Sequence, residues 1–118
     1  GLMKIKNLIE QEVAILTLRG NFLCEPDKIM LKEKLSALMN ENMKNVIVDL
    51  GKVECINSEG LGALVMALTS LRKNGGDLRL ARVTDMVRKT LTITQLSKVF
   101  EMFGTAEEAI ASYKSQKT

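Results

Sequence analysis

A chain of 118 residues with 46% hydrophobic and 26% charged side chains has the length and balance of one folding unit with a real core, which excludes a disordered, fibrous or membrane-spanning class. It carries no histidine, only two cysteines and a formal charge of +3, so it lacks the commonest general base and metal ligand and every Ser/His/Asp or Cys/His arrangement. The longest apolar stretch, residues 61–68, is far short of the roughly 20 needed for a spanning helix. With no leader ahead of it the chain reads as cytoplasmic and not inserted in a membrane. Cys24 and Cys55, far apart and in no C-x-x-C pattern, are expected to be buried free thiols.

Gly1 and Leu2 precede Met3, a natural start, and read as an appended remnant, leaving residues 3–118 as a single expected domain. Residues 3–10 and 13–19 alternate apolar with polar side chains around a polar connection at Gln11 and Glu12, the pattern of an opening hairpin. Pro26 suits the first turn of a helix, and Ile29, Leu31, Leu35, Leu38 and Met39 carry that helix over residues 26–40. The run Val46, Ile47, Val48, Leu50 reads as a central strand buried on both faces, followed by a loop at residues 51–57.

A second helix begins near Ser58, with Leu61, Leu64, Val65, Leu68 and Leu71 at spacings of three and four, and stops at Asn74, Gly75 and Gly76. Leu78 and Leu80 flank Arg79 in the next strand, Thr84 caps a helix reaching about Leu91, and residues 99–102 form a last strand. Thr105 with Glu108 three residues on is a capping box for a final helix through Ala109, Ile110 and Tyr113. The predicted order, ββαβαβαβα, implies an α/β fold with a mostly parallel sheet, one antiparallel edge strand and flanking helices.

Arg72, Lys73, Arg79, Arg82, Arg88 and Lys89 fall in one third of the chain, but acidic residues intersperse them and aromatics are few, so they read as solvated surface with no direct nucleic-acid role. No phosphate-binding glycine motif follows a strand: the Gly60-Leu61-Gly62 segment lacks the third glycine of a dinucleotide site. No catalytic residue, cofactor or metal site is expected, and the chain is not expected to be an enzyme. What remains is the stretch Ile56-Asn57-Ser58-Glu59-Gly60-Leu61-Gly62, where a strand passes into an amphipathic helix. Loops at the carboxyl ends of strands in open α/β sheets carry function, and Ser58 is placed to act as the N-cap. Gly60 and Gly62 each cost up to about 1 kcal/mol against alanine in a helix, so close packing or the close approach of another molecule is expected to need them.

With these elements in place, the chain resembles the STAS domains, specifically the stand-alone anti-sigma factor antagonists of bacteria. The resemblance rests on the element order, Gly20 ending strand two, the strand Val46-Ile47-Val48-Asp49-Leu50, the loop Ser58-Glu59-Gly60-Leu61-Gly62 and the turn Asn74-Gly75-Gly76. It implies that Ser58 is a phosphoacceptor, that the partner is an anti-sigma factor with serine kinase activity, and that a phosphatase reverses the reaction. Partner contacts are expected at Asn21, Asn57, Ser58, Glu59, Gly60 and Leu61. The chain departs from the family's Asp-Ser-[Ser/Thr/Ala]-Gly-Leu-Gly loop at Asn57 and Glu59, and Leu23 stands where many relatives have an acid. Two other readings stay open: a constitutive docking subunit of a transporter or signalling complex, in which Ser58 is only a cap, and a small nucleotide- or anion-binding protein using the same loop.

Overall fold

The computed structural model describes residues 3–115, so Gly1 and Leu2, read above as a remnant, lie outside the described residues. In chain order the elements are β1 (Lys4–Glu10), β2 (Val13–Phe22), α1 (Glu25–Asn40), β3 (Asn45–Ile56), α2 (Ser58–Lys73), β4 (Asp77–Ala81), α3 (Asp85–Ile93), β5 (Met102–Phe103) and α4 (Ala106–Lys114). Gln11 and Glu12 close the hairpin with φ of 54° and 67°, the left-handed pair that matches the twist of its two strands. The five strands lie in sequence order; β1 pairs antiparallel with β2, and all other pairs are parallel. The ββαβαβαβα order and the mixed sheet agree with the expectation from sequence.

Alternation along the central strands assigns the two faces. Ala14, Leu16 and Leu18 of β2 and Val46, Val48 and Leu50 of β3 pack against α1, α2 and α3 through Leu31, Leu35, Leu64, Leu68, Leu71, Val87 and Leu91. Val13, Ile15 and Ile47 point the other way, onto Ala109, Ile110 and Tyr113 of α4. The apolar run in β3 is therefore buried on both faces, and each such side chain removed from water stabilises the fold by about 1.5–3 kcal/mol. Thr84 and Thr105 cap their helices, accepting the N–H of Val87 at 3.3 Å and of Glu108 at 3.1 Å; of the capping box expected at Thr105 this is the half that forms among the described residues.

The structure departs from the sequence expectations in several places. β2 does not end at Gly20: with φ of 100° that glycine lets the strand continue to Phe22, paired across irregularities with β3. Residues 51–56 are consequently strand, not loop, with Asn21 beside Cys55 and Phe22 beside Ile56. The last strand is Met102–Phe103, later than residues 99–102, because its pairing partners are Leu80 and Ala81. Both cysteines are free, as expected, but exposed: Cys24 lies in the bend ahead of α1 and Cys55 at an exposed position of β3.

Arg79, counted above with the solvated cations, is 1% exposed. Its guanidinium lies 3.4 Å from Asp77, 3.3 Å from Glu101 and 2.7 Å from the Ser112 hydroxyl, and stacks 4.1 Å from the Tyr113 ring centre. A buried charge is tolerated only with such partners. Tyr113 in turn donates its hydroxyl to the Val46 carbonyl at 2.7 Å, tying α4 to the central strand.

Candidate functional site

At one end of the sheet β2 runs into α1 and β3 into α2, and the register of Phe22 beside Ile56 brings the two junctions together. The α2 junction is organised by Asn57. Its Oδ1 accepts the Gly60 N–H at 3.0 Å and its Nδ2 donates to the Leu23 carbonyl at 3.1 Å, so one side chain caps α2 and fastens it to the β2–α1 connection. Asn57, not Ser58, is the N-cap, because Asn57 has the extended backbone of a cap and Ser58 is already the first helical residue. An aspartate would make the capping bond and could not donate the second one, which accounts for the amide at this position.

Gly60 is fixed by packing. A Cβ there would collide with the Phe22 carbonyl oxygen and stand 2.8 Å from Ile56 Cγ1. Gly62 differs: it is exposed, and a Cβ on it would meet nothing within 4 Å. Of the two explanations offered for these glycines, close packing holds for Gly60, while nothing inside the fold requires Gly62.

Ser58 is exposed, and among the described residues its hydroxyl has no hydrogen-bond partner. Glu59 is also exposed and faces Lys28 of α1 at 3.9 Å, while Lys28 makes a closer contact of 2.9 Å with Glu25. The bond to Glu25 pushes the Lys28 amine up from its ordinary value, with the charges of Glu25 and Glu59 adding to the effect. The Glu59 charge beside Ser58 is thus partly offset by a cation from the neighbouring helix.

Asn21 is half-buried at the end of β2, and its Oδ1 has no partner among the described residues. Leu61 is 1% exposed and belongs to the hydrophobic core. Expected as a partner contact, it instead turns its side chain inward with Leu64 and Leu68, and Gly60 is likewise buried. The accessible set is therefore Ser58, Glu59 and Gly62, with Asn57 and Asn21 half-buried behind them.

The start of α1 adds residues that sequence reasoning missed. Asp27, buried at the third helical position, accepts from the Leu23 N–H at 3.3 Å, the Cys24 N–H at 3.4 Å and the Cys24 thiol at 3.0 Å. Burial works against its charge, but the Cys24 thiol and the Leu23, Cys24 and Met3 N–H groups overcome it and hold the carboxyl below its usual range. The same thiol–carboxylate bond pushes Cys24 up. An acid three residues after Cys24 was the available signal; no sequence feature announced the proximity of Lys28 to Glu59, which depends on how two helices pack.

Among the described residues no group of three or more His, Cys, Asp or Glu side chains could hold a metal ion, and no helix is long and apolar enough to cross a membrane.

The chain folds into a five-stranded mixed sheet with a capped helix opening after its central strand, and the STAS domain family model matches residues 4–109. The chain belongs to the STAS domain family. It is 28% identical over 85 residues to a candidate anti-sigma factor antagonist, BtrV, of Bordetella bronchiseptica, covering 72% of this chain and 73% of the relative. The crystal structure of a candidate anti-sigma factor antagonist, TM1081, from Thermotoga maritima superposes with a TM-score of 0.84 at 25% identity, covering 92% of each chain. The unphosphorylated form of the anti-sigma factor antagonist SpoIIAA shares the fold, with a TM-score of 0.80 at 19% identity over 99% of this chain and 100% of that one.

Proposed function

We propose that this protein is a cytoplasmic anti-sigma factor antagonist, docking through the start of α2 on an anti-sigma factor that is also a serine kinase, and released when Ser58 is phosphorylated. A single observation carries the reading: at a helix start where Asn57 does the capping and Gly60 the packing, the Ser58 hydroxyl is exposed and has no structural task. The names of the relatives as anti-sigma factor antagonists, and the solution of SpoIIAA in a phosphorylated as well as an unphosphorylated form, support the same reading.

The chemistry of such a switch is local. A phosphate on Ser58 adds about −1.5 to −2 charges to the docking surface, and the partner is expelled by like-charge repulsion and by the cost of desolvating the group. The domain itself tolerates the modification. The N-terminus of α2 favours a nearby anion by about 0.3–1 kcal/mol, and Lys28 already draws the Glu59 carboxylate toward α1. The exposed backbone at Gly62 lets a partner approach the helix closely.

The test is intact mass after incubation of wild-type and Ser58→Ala protein with ATP and the anti-sigma kinase of the same organism. One added phosphate on the wild type alone is the expected result. No phosphate on either protein, with the kinase active on a second substrate, would transfer the weight to constitutive docking on a non-kinase partner. Ser58→Asp is expected to bind the anti-sigma factor at least about tenfold more weakly than Ser58→Ala, given the size of a charge placed in an interface.

A further inference from the structure

The sheet face that carries α4 is left open toward the β1 edge, and it is lined with unneutralised cations. Lys4 of β1 stands directly opposite Arg19 of β2, and Arg19 lies beside Lys52 of β3. Lys4, Lys6, Arg19 and Lys52 are all exposed and, together with Ile5 and Thr17, line a groove of about 290 Å³. Among the described residues none of the four cations has an ion pair.

Like charges directly across a sheet destabilise it. Here three cations occupy one row across three adjacent strands. The next row holds Lys6, Thr17 and Asp49, and that carboxylate is already committed: the Arg82 guanidinium holds it at 2.9 Å and the Gly51 N–H donates to it at 2.9 Å. Edge strands often carry lysine to discourage aggregation, which would account for Lys4 and Lys6. It does not account for Arg19 and Lys52, which sit on interior strands.

We infer that this face is a second docking surface, for an extended acidic segment of a protein partner. β1 is the end strand of the sheet, seven residues long, so its outer edge offers main-chain groups to an added strand. A strand laid there sets alternate side chains, about 6.8 Å apart, beside Lys4 and Lys6, with Arg19 and Lys52 one and two strands further in on the same face. Leu8, 53% exposed and two residues beyond Lys6 on the same face, receives the next side chain in the series. The complementary pattern is therefore acidic, any, acidic, any, apolar. No aromatic side chain lines the groove to stack a nucleic-acid base.

The surface is separate from Ser58, so the test separates the two readings. A fluorescent peptide carrying repeated Glu-x-Glu-x-Val is titrated by anisotropy into wild-type protein, into Lys6→Gln/Arg19→Gln/Lys52→Gln protein and into Ser58→Ala protein, with thermal melts to verify folding. Saturable binding by the wild type and Ser58→Ala, weakened at least about tenfold in the triple variant and by added salt, is expected. Should the triple variant fail to fold, Lys6→Gln/Lys52→Gln serves in its place. Equal binding by wild type and variant overturns the proposal. So does an absence of peptide binding, whether or not phosphatidylserine vesicles, ATP or duplex DNA bind the wild type instead.

Discussion

Two helices begin side by side at the same end of the sheet, and their beginnings are held in opposite ways. At α1 the holding group is an ionised carboxylate inside the helix: Asp27 reaches back to the N–H groups of Leu23 and Cys24. At α2 it is a neutral amide ahead of the helix: Asn57 reaches forward to Gly60 and sideways to Leu23. The first turn of α1 therefore already contains the negative charge its dipole favours, in Glu25 and Asp27, whereas α2 has only Glu59, drawn toward Lys28. One helix start carries two acids in its first turn; the other carries one, next to an exposed serine hydroxyl.

The strongest way to break this contrast is at Gly60. Gly60→Ala drives a methyl into the Phe22 carbonyl, and backbone cannot give way as a flexible side chain can. A loss of about 3 kcal/mol or more, read as a lowered denaturation midpoint, is expected. Asp27→Asn should cost somewhat less, about 2 kcal/mol, because it removes a charged acceptor from a buried site. The sign with pH follows from a folded carboxyl held below its usual range. Its stabilisation is present in full above the unfolded value, near about 3.9, and is lost as pH falls through the lower folded value. The difference between wild type and Asp27→Asn should therefore shrink in acid; a difference constant from neutral pH down through that range would refute the role given to Asp27.

Asn57→Asp sharpens the contrast by keeping the cap, deleting the bond to Leu23 and adding a charge that the helix start partly offsets. A cost of about 1 kcal/mol is expected by urea unfolding, against about 1.5–2 kcal/mol for Asn57→Ala, which loses both bonds. If Asn57→Asp is as stable as the wild type, the amide's second bond contributes nothing; if it is only as stable as Asn57→Ala, the capping bond contributes nothing. The smallest effect is at Gly62, where alanine meets empty space: Gly62→Ala should stabilise the domain by about 0.5–1 kcal/mol. The same methyl should weaken anti-sigma factor binding, which is measurable by titration calorimetry on the stabilised protein.

Most of the architecture was readable because it depends on local period. The alternation in β2, the three-and-four spacing of Leu61, Leu64, Leu68 and Leu71, and the caps at Thr84 and Thr105 each bury or satisfy their own neighbourhood. The misreadings share a different cause. Residues 51–56 carry a glycine and polar side chains and become strand only because the far half of β2, beyond Gly20, lies beside them. Arg79 looks like any surface arginine until α4 folds over it. At the site, position was legible and division of labour was not. Ser58 was assigned the capping bond because serine caps helices well, yet with Asn57 one residue earlier the cap moves back and the hydroxyl is released.

The hydrogen bond from Tyr113 to Val46 spans 67 residues of chain. Closing so long a loop costs more chain entropy than the nearer pairings of β1 with β2 and β2 with β3. As the chain leaves the ribosome, everything that builds the Ser58 end has emerged well before the helix that seals the opposite face. Val13, Ile15 and Ile47 therefore depend for their cover on the last helix to be synthesised, whereas the start of α2 is built wholly from residues that precede it.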